Sequence, residues 1–223
     1  MVFMTEGTRT YSSTLRADQA RQTRKRIVDA AADLFVEHGY TGTTIDAIAA
    51  AADVSRKTVF DSVGGKARLM KLVYDFAIVG DDEPVPLSDR PEIKAMLAEP
   101  DHAERLAMYA RLVVGIDRRA SAAWRALEGA ATSDPEAAKL YVAMVEMRRQ
   151  AMHEAAQMFA DTGALRPDID VDIAADLMWF YNDPSLYDKL VRQRGWSISR
   201  FESWLTEALQ VQLLGSAPAK AAQ

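Results

Sequence analysis

A pair of short helical patterns separated by a tight break constrains this chain more than any other feature of its sequence. The pair lies between residues 43 and 66, which read TTIDAIAAAADVSRKTVFDSVGGK. In the first pattern, Thr43 or Thr44 offers a hydroxyl that can cap the start of a helix. Apolar side chains then recur at steps of three and four residues, the spacing of one helix face: Ile45, Ile48, Ala49 and Ala52.

The second pattern begins after an interruption at Asp53 and Val54, where Ser55 offers another N-cap hydroxyl. One face of this predicted helix is apolar and carries Val59 and Val63. The opposite face is polar and carries Arg56, Lys57, Thr58 and Ser62. A short helix, a tight turn and a second helix with a basic, hydroxylated first turn are typical of a helix-turn-helix. Nucleic-acid binding is therefore the first functional hypothesis.

The segment from Thr23 to Leu69 resembles the amino-terminal domain of the TetR family of transcriptional regulators. The resemblance rests on an ordered set of motifs that covers about a fifth of the chain. In chain order the motifs are TRKRIVDAAADLFVEHGY from Thr23, TT-x-x-x-IA from Thr43, VS-x-x-TVF from Val54, and Gly65–Lys66. The resemblance implies an all-α fold of about nine to ten helices. In this fold a fourth helix links a three-helix head to a ligand-binding and dimerisation domain.

The resemblance also implies which residues of the head contact an operator in double-stranded DNA. The second helix of the pair would lie in the major groove, where Arg56 and Lys57 can donate to guanine or phosphate and Thr58 can touch a thymine methyl. Lys66 would meet a phosphate at the start of the fourth helix. The complete predicted set is Thr43, Thr44, Ser55, Arg56, Lys57, Thr58, Phe60, Ser62 and Lys66.

Several residues of the head depart from the family pattern. Asp53 stands where the turn usually has glycine, so the turn must accept a side chain and a positive φ, which Asp tolerates better than most residues. Phe60 replaces the usual tyrosine and its phosphate-binding hydroxyl, while Ser62 and Val63 replace the residues usual at those positions. These changes leave a second hypothesis open, namely a ligand- or protein-sensing binding protein with a degenerate DNA-binding head.

The charge of the chain is unevenly distributed between its two parts. The net charge is −5, but residues 1–71 carry 11 Lys and Arg against 8 Asp and Glu, whereas residues 72–223 carry 16 against 24. A basic head on an acidic body suits a protein that presents one end to a polyanion. The absence of cysteine fits a reducing cytoplasm, and no apolar run approaches the ~20 residues that span a membrane. We therefore expect a cytoplasmic protein that makes no use of a membrane.

Helical periodicity accounts for nearly the whole sequence, and alternating strand patterns are absent. We predict a mobile arm over residues 1–17, a helix-turn-helix domain over 18–70, a helical body over 71–215 and a disordered tail over 216–223. A Pro-rich loop is predicted over 81–91. The predicted helices cover residues 18–38, 44–51, 55–61, 66–80, 91–98, 102–118, 120–131, 135–161, 170–192 and 198–214.

The body is rich in large apolar side chains, which form either a plain core or the wall of a pocket. Methionine adapts its shape and lines sites for apolar molecules, so the methionines from residue 135 onward favour a pocket for a small-molecule effector. The residues predicted to bind this apolar or aromatic ligand are Tyr109, Trp124, Met144, Met147 and His153.

The last two predicted helices more loosely resemble the carboxy-terminal end of many TetR-family members. In the family these helices pair with their copies in a second subunit as a four-helix bundle, and the resemblance implies a homodimer here. The alternative is that the same residues only close the core of one subunit. The residues predicted to form the dimer interface are Leu177, Tyr181, Phe201, Trp204, Leu205, Leu209 and Leu213.

Nothing in the sequence supports catalysis, a cofactor or a metal. The three histidines, His38, His102 and His153, are widely spaced and form no metal-binding pattern. The glycines at 39 and 42 lack the preceding strand of a nucleotide-binding loop. We expect a protein that is not an enzyme and that has neither cofactor nor metal.

Overall fold

The computed structural model of the protein describes residues 7–80, 85 and 87–214, and over these residues it is all-α, as predicted. Short 3₁₀ and π turns occur at Leu87–Asp89 and Asp188–Gln193. The ten α-helices of this part of the chain are α1 (Gly7–Gly42), α2 (Ile45–Ala51), α3 (Arg56–Val63), α4 (Lys66–Val79), α5 (Pro91–Ala98), α6 (His102–Ala131), α7 (Pro135–Asp161), α8 (Val171–Tyr181), α9 (Pro184–Tyr187) and α10 (Ile198–Leu213).

Three predicted boundaries were wrong. Helix α1 begins at Gly7 rather than at residue 18. Extending an existing helix costs little, because each added residue forms its own backbone hydrogen bond. Helix α6 is continuous, since residues 118–120 contain no helix breaker. The helix predicted over 170–192 ends at Tyr181, and Asp183 caps a new short helix that begins with Pro184, whose ring cannot continue the previous one.

Parts of three predicted segments lie outside the described residues. These are residues 1–6 of the arm, residues 81–84 and 86 of the Pro-rich loop, and the whole tail from 216 onward. Among the described residues, no helix is both long enough and apolar enough to cross a membrane.

The three helices of the head pack around one apolar core. Ile27 and Phe35 of α1, Ile48 of α2 and Val59 of α3 are fully buried. Gly39 breaks α1 with a φ of 71°, and Tyr40 after the break stacks on Phe35 with ring centroids 5.7 Å apart. The break turns the chain so that α2 can pack back on α1.

Helix α4 connects the head to the body. Leu69 and Met70 in its first half belong to the head core, while Tyr74 packs against Trp124 of α6 with ring centroids 5.6 Å apart. Helix α6 runs through the centre of the body and contacts α1, α4, α7, α9 and α10. The head core therefore continues into the body through α4.

Candidate DNA-binding head and body cavity

Both helices of the helix-turn-helix are capped as the sequence predicts. The Thr44 side chain accepts a hydrogen bond from the amide of Ala47 at 3.1 Å, and the Ser55 hydroxyl accepts one from the amide of Thr58 at 3.0 Å. Between the helices, Asp53 has a φ of 53°, which confirms the left-handed turn expected where the family has glycine. The local sequence thus sets the angle between α2 and α3.

The exposed side of α3 presents two cations, each paired with a carboxylate. Arg56 Nη1 lies 2.6 Å from an oxygen of Asp46 on α2, and Lys57 Nζ lies 2.5 Å from an oxygen of Asp61. All four side chains are more than half exposed, so the pairs are weak in water and can be exchanged for DNA phosphates or bases. Phe60 is 44% exposed and lies beneath the Arg56 guanidinium at 5.6 Å.

The remaining predicted DNA contacts divide into open and buried groups. Thr44 and Ser55 are exposed, while Thr58 and Ser62 are half-buried on α3. Thr43 is buried, and its hydroxyl is shared between the carbonyl oxygens of Leu34 at 2.9 Å and Gly39 at 2.7 Å. It therefore holds the end of α1 and is not placed to reach DNA.

Lys66 is tied to the end of α1. Its Nζ donates to the carbonyl oxygen of Tyr40 at 3.1 Å and lies 4.4 Å from the centre of the Tyr40 ring. The lysine thereby fixes the first turn of α4 against α1. A direct phosphate contact by Lys66 stays a prediction.

A cavity of about 400 Å³ lies in the body between α4, α5, α6 and α7. Its walls are mainly apolar and include Ile93, Met96, Val113, Met152 and Met158. Tyr74 and Ile78 bring α4 to the cavity wall. The helix that carries the head therefore also contacts whatever occupies the cavity.

A polar group lines one part of this apolar cavity. It consists of Asp117 of α6, Tyr109 of α6, Arg148 of α7 and Asn182 at the end of α8. The Asn182 amide donates to the Tyr109 hydroxyl at 2.7 Å, and that hydroxyl donates to the sulfur of Met152 at 3.5 Å. Asp117 Oδ2 and Asn182 Oδ1 are buried without a hydrogen-bond partner.

Burial changes the titration of this group. Loss of solvation raises the pKa of the Asp117 carboxyl to about 8; the nearby Arg148 opposes this shift and Asp183 adds to it. Burial likewise raises the pKa of the Tyr109 hydroxyl above its usual value and that of Tyr74 to about 12. Near neutral pH Asp117 is therefore mainly protonated.

Of the five residues predicted to bind a ligand, Tyr109 alone lines this cavity. Trp124, Met144 and Met147 pack in the core near the head. His153 is exposed on another face of α7, where it lies 3.4 Å from Asp172 of α8. Sequence reasoning missed Asp117, although a carboxylate following the apolar run LVVGI on a core helix is an available signal.

The predicted interface residues also fall into two groups. Phe201, Leu205, Leu209 and Leu213 of α10 are fully buried within the subunit, so their placement in a dimer interface was wrong. Apolar periodicity alone does not separate a core face from an interface face. Leu177, Tyr181 and Trp204 are half-buried, and Tyr181 and Trp204 contact each other with ring centroids 6.2 Å apart.

An apolar strip remains uncovered on α8 and α10. Phe180 is 58% exposed, Ile173 46% and Val211 46%, and Leu177 lies between the two exposed residues of α8. Among the described residues, no group of three or more His, Asp or Glu side chains is arranged to hold a metal ion.

A hydroxyl-capped helix-turn-helix with a basic, exposed second helix defines the class of helix-turn-helix DNA-binding proteins. Residues 27–73 match the family described as bacterial regulatory proteins of the TetR family. The match covers the helix-turn-helix and the first half of α4.

Individual proteins of known sequence or structure resemble this chain to different extents. An uncharacterised helix-turn-helix regulator of Pseudomonas putida, TtgW, is 34% identical over 77 residues, which are 34% of this chain and 54% of that protein. The match thus spans about half the length of this relative. Among solved structures, a TetR-family regulator from Rhodococcus sp. is 16% identical with a TM-score of 0.66, over 86% of this chain and 98% of its own. A regulator from Saccharomonospora viridis solved with choline is 20% identical with a TM-score of 0.61, over 86% of this chain and 97% of its own.

Proposed function

We propose that this protein is a ligand-responsive transcriptional regulator that binds a pseudo-palindromic operator as a homodimer and acts as a repressor released by its ligand. The observation that carries the proposal is the exposed basic turn of α3, held at a fixed angle by the Ser55 cap and the Asp53 turn. In this arrangement α3 enters the major groove, and the amides and side chains around it hold phosphates.

Arg56→Ala should relax the sequence preference of the protein at one position in each half-site. Arg56 is exposed in the first turn of α3. From there its guanidinium can make a bidentate contact with guanine, which contributes about 1 to 3 kcal/mol of discrimination between bases. Selection of bound duplexes from a random pool, repeated with the variant, measures the change.

Asp46→Asn is the matched control for this experiment. It removes the carboxylate that holds Arg56 in the free protein, so operator affinity should stay level or rise while the selected sequence is unchanged. If Arg56→Ala selected the same sequences as the unaltered protein, the proposed role of Arg56 in reading bases would be wrong.

Dimerisation is proposed to occur through the exposed strip formed by Ile173, Leu177, Phe180 and Val211. A twofold axis would bring this strip onto its own copy, and burying a continuous apolar surface between subunits is the usual basis of such dimers. Two recognition helices would then face successive major grooves on one side of the DNA.

Release by a ligand is proposed to pass through α4. Tyr74 and Ile78 of α4 line the cavity, and Arg119 of α6 donates to the carbonyl oxygens of Ala77 at 2.6 Å and Ile78 at 3.2 Å at the end of the same helix. An occupant that displaces α4 changes the position of the head. The structure of the Saccharomonospora viridis protein with choline supports a small-molecule effector for a protein of this fold.

Arg119→Ala should weaken the effect of the ligand on operator binding by about 0.5 to 2 kcal/mol, because it releases the end of α4 from α6. Ligand affinity should change little, since Arg119 does not line the cavity. Operator titrations with and without saturating ligand measure the coupling. A variant whose coupling equals that of the unaltered protein would show that this contact does not transmit the signal.

The alternative function is that of a ligand- or protein-sensing binding protein whose head no longer binds DNA. The carboxylates of Asp46 and Asp61 beside the two cations of α3 favour it, as does the missing hydroxyl at Phe60. A mobility shift with the DNA upstream of its own coding region separates the two functions. Retention of one specific duplex against excess unrelated DNA supports the regulator, and no specific retention supports the alternative.

A further inference from the structure

We propose that the body cavity binds a protonated primary or secondary amine attached to an apolar chain, with the ammonium N–H groups donated to Asp117 and Asn182. This inference rests on the proposed function, because it assigns a chemical class to the effector site of the regulator. It adds a cationic head to the apolar or aromatic ligand that the sequence predicted.

Two buried acceptors without partners carry the inference. Asp117 is 2% exposed and Asn182 5%, and both line the cavity. Asp117 Oδ2 and Asn182 Oδ1 make no hydrogen bond within the protein, although buried polar atoms are nearly always paired. The Asn182 amide nitrogen is already used by Tyr109, so the carbonyl oxygen is the end of this side chain that is left over. Both acceptors require a donor, and neither receives a hydrogen bond from the neighbouring Arg148, whose Nη1 is itself buried without a hydrogen-bond partner.

A ligand anion is the competing possibility, because Arg148 also lines the cavity. Its guanidinium, however, already has three partners. It stacks on the Trp124 ring at 4.9 Å, donates to the carbonyl oxygen of Asn182 at 3.0 Å and lies 3.9 Å from an oxygen of Asp183. Arg148 is thus partly compensated within the protein, although its Nη1 is buried without a hydrogen bond, whereas Asp117 forms no ion pair.

The rest of the cavity fits the apolar part of such a molecule. Its wall is dominated by aliphatic side chains and methionines, and a cavity of about 400 Å³ is within the range that holds small organic ligands. Glu154, exposed on α7, also lines the cavity and adds a second carboxylate to its wall. An amine with a ten-carbon chain combines a cationic head with an apolar chain that suits this wall.

The titration of Asp117 distinguishes the binding of an amine from the binding of a purely apolar molecule. Burial raises the pKa of the carboxyl to about 8, and an adjacent ammonium would hold it ionised. The groups that face it from neighbouring helices are Arg148 of α7, Asp183 after α8, Tyr109 on its own helix and Tyr74 of α4. Of these, the tyrosines titrate above the range of interest. Binding of an amine near neutral pH should therefore release a proton.

The experiment is calorimetry on the full-length protein without DNA, using four ten-carbon probes: decylamine, decyltrimethylammonium, decanol and decanoate. Decylamine should bind at least about tenfold more tightly than each of the others, since only it offers both positive charge and N–H donors. Decyltrimethylammonium separates charge from hydrogen bonding, because it has no N–H group.

Proton linkage provides the second readout. Decylamine should bind roughly 50-fold more tightly at pH 8 than at pH 6, because below pH 8 each binding event must first ionise Asp117. The affinity for decanol should not rise over this range. In Asp117→Asn, decylamine should lose at least about tenfold in affinity and all of its pH dependence, while decanol should bind within about threefold of its affinity for the unaltered protein.

The outcomes distinguish this inference from the proposed function. Tighter binding of decanoate would overturn the inference in favour of an anion site at Arg148, and equal binding of decanol and decylamine would show an unselective apolar cavity. In both cases the cavity would remain an effector site. Failure of all four probes to bind would overturn both the inference and the role of the cavity in the proposed function.

Discussion

Phe180→Asp should convert the proposed homodimer into a folded monomer that no longer holds a palindromic operator. Phe180 is 58% exposed in one subunit, so aspartate there leaves the subunit core intact but places a charge within the proposed interface. Each head alone reads half of the operator, and losing the second half should weaken binding by several orders of magnitude. Sedimentation equilibrium and operator titration measure the two effects.

Two further variants control for this result. Val142 on α7 is 66% exposed and lies outside the strip, so Val142→Asp should leave both the dimer and operator binding unchanged. Leu205 is fully buried in the subunit core, so Leu205→Asp should unfold the subunit instead of separating two folded subunits. A dimer that survived Phe180→Asp at micromolar concentration would show that the interface lies elsewhere.

Asp117→Asn should stabilise the protein at neutral pH. The folded state raises the pKa of this carboxyl from 3.8 to about 8, so the folded protein binds a proton that the unfolded chain releases. Binding of this proton contributes to the free energy of unfolding. That contribution is therefore lost as the pH rises from about 4 to about 8. At pH 7 the cost of the buried aspartate is on the order of 2 to 4 kcal/mol, and asparagine avoids it.

Urea unfolding at pH 5 and pH 8 measures this difference. The free energy of unfolding of the unaltered protein should fall between the two pH values by more than that of Asp117→Asn. At pH 3, below both the folded and the unfolded pKa, the carboxyl is mostly protonated in both states, so the two proteins should be nearly equal. A parallel change in both proteins would mean that Asp117 is paired or solvated in the folded state. A residue that lines a cavity and lowers the stability of the folded protein is typical of a binding site.

The sequence predicted the head closely because its structure follows from local chemistry. Ser55 and Thr44 cap their helices, and Asp53 takes the left-handed turn, for reasons that depend on the residues within a few positions of each. The same reasoning did not distinguish Thr43 from Thr44. Thr43 is buried because Gly39 turns the chain beneath it, which depends on how α1 and α2 pack.

The body was predicted less well because its functional residues are set by packing between distant helices. The spacing of Phe201, Leu205 and Leu209 fits a core and an interface equally, and only the position of α6 shows that these residues are core. Similarly, a methionine on α7 lines the cavity or the core depending on which side faces α6. Met152 lines the cavity, whereas Met144 does not.

Calorimetry of decylamine binding with and without the selected operator measures the proposed coupling between the cavity and operator binding. If the ligand releases DNA through α4, operator DNA must weaken ligand binding by the same factor that the ligand weakens operator binding. We predict a factor of about 5 to 150 in both directions, equivalent to about 1 to 3 kcal/mol. Decylamine that binds the free protein and the operator complex with equal affinity would contradict the account.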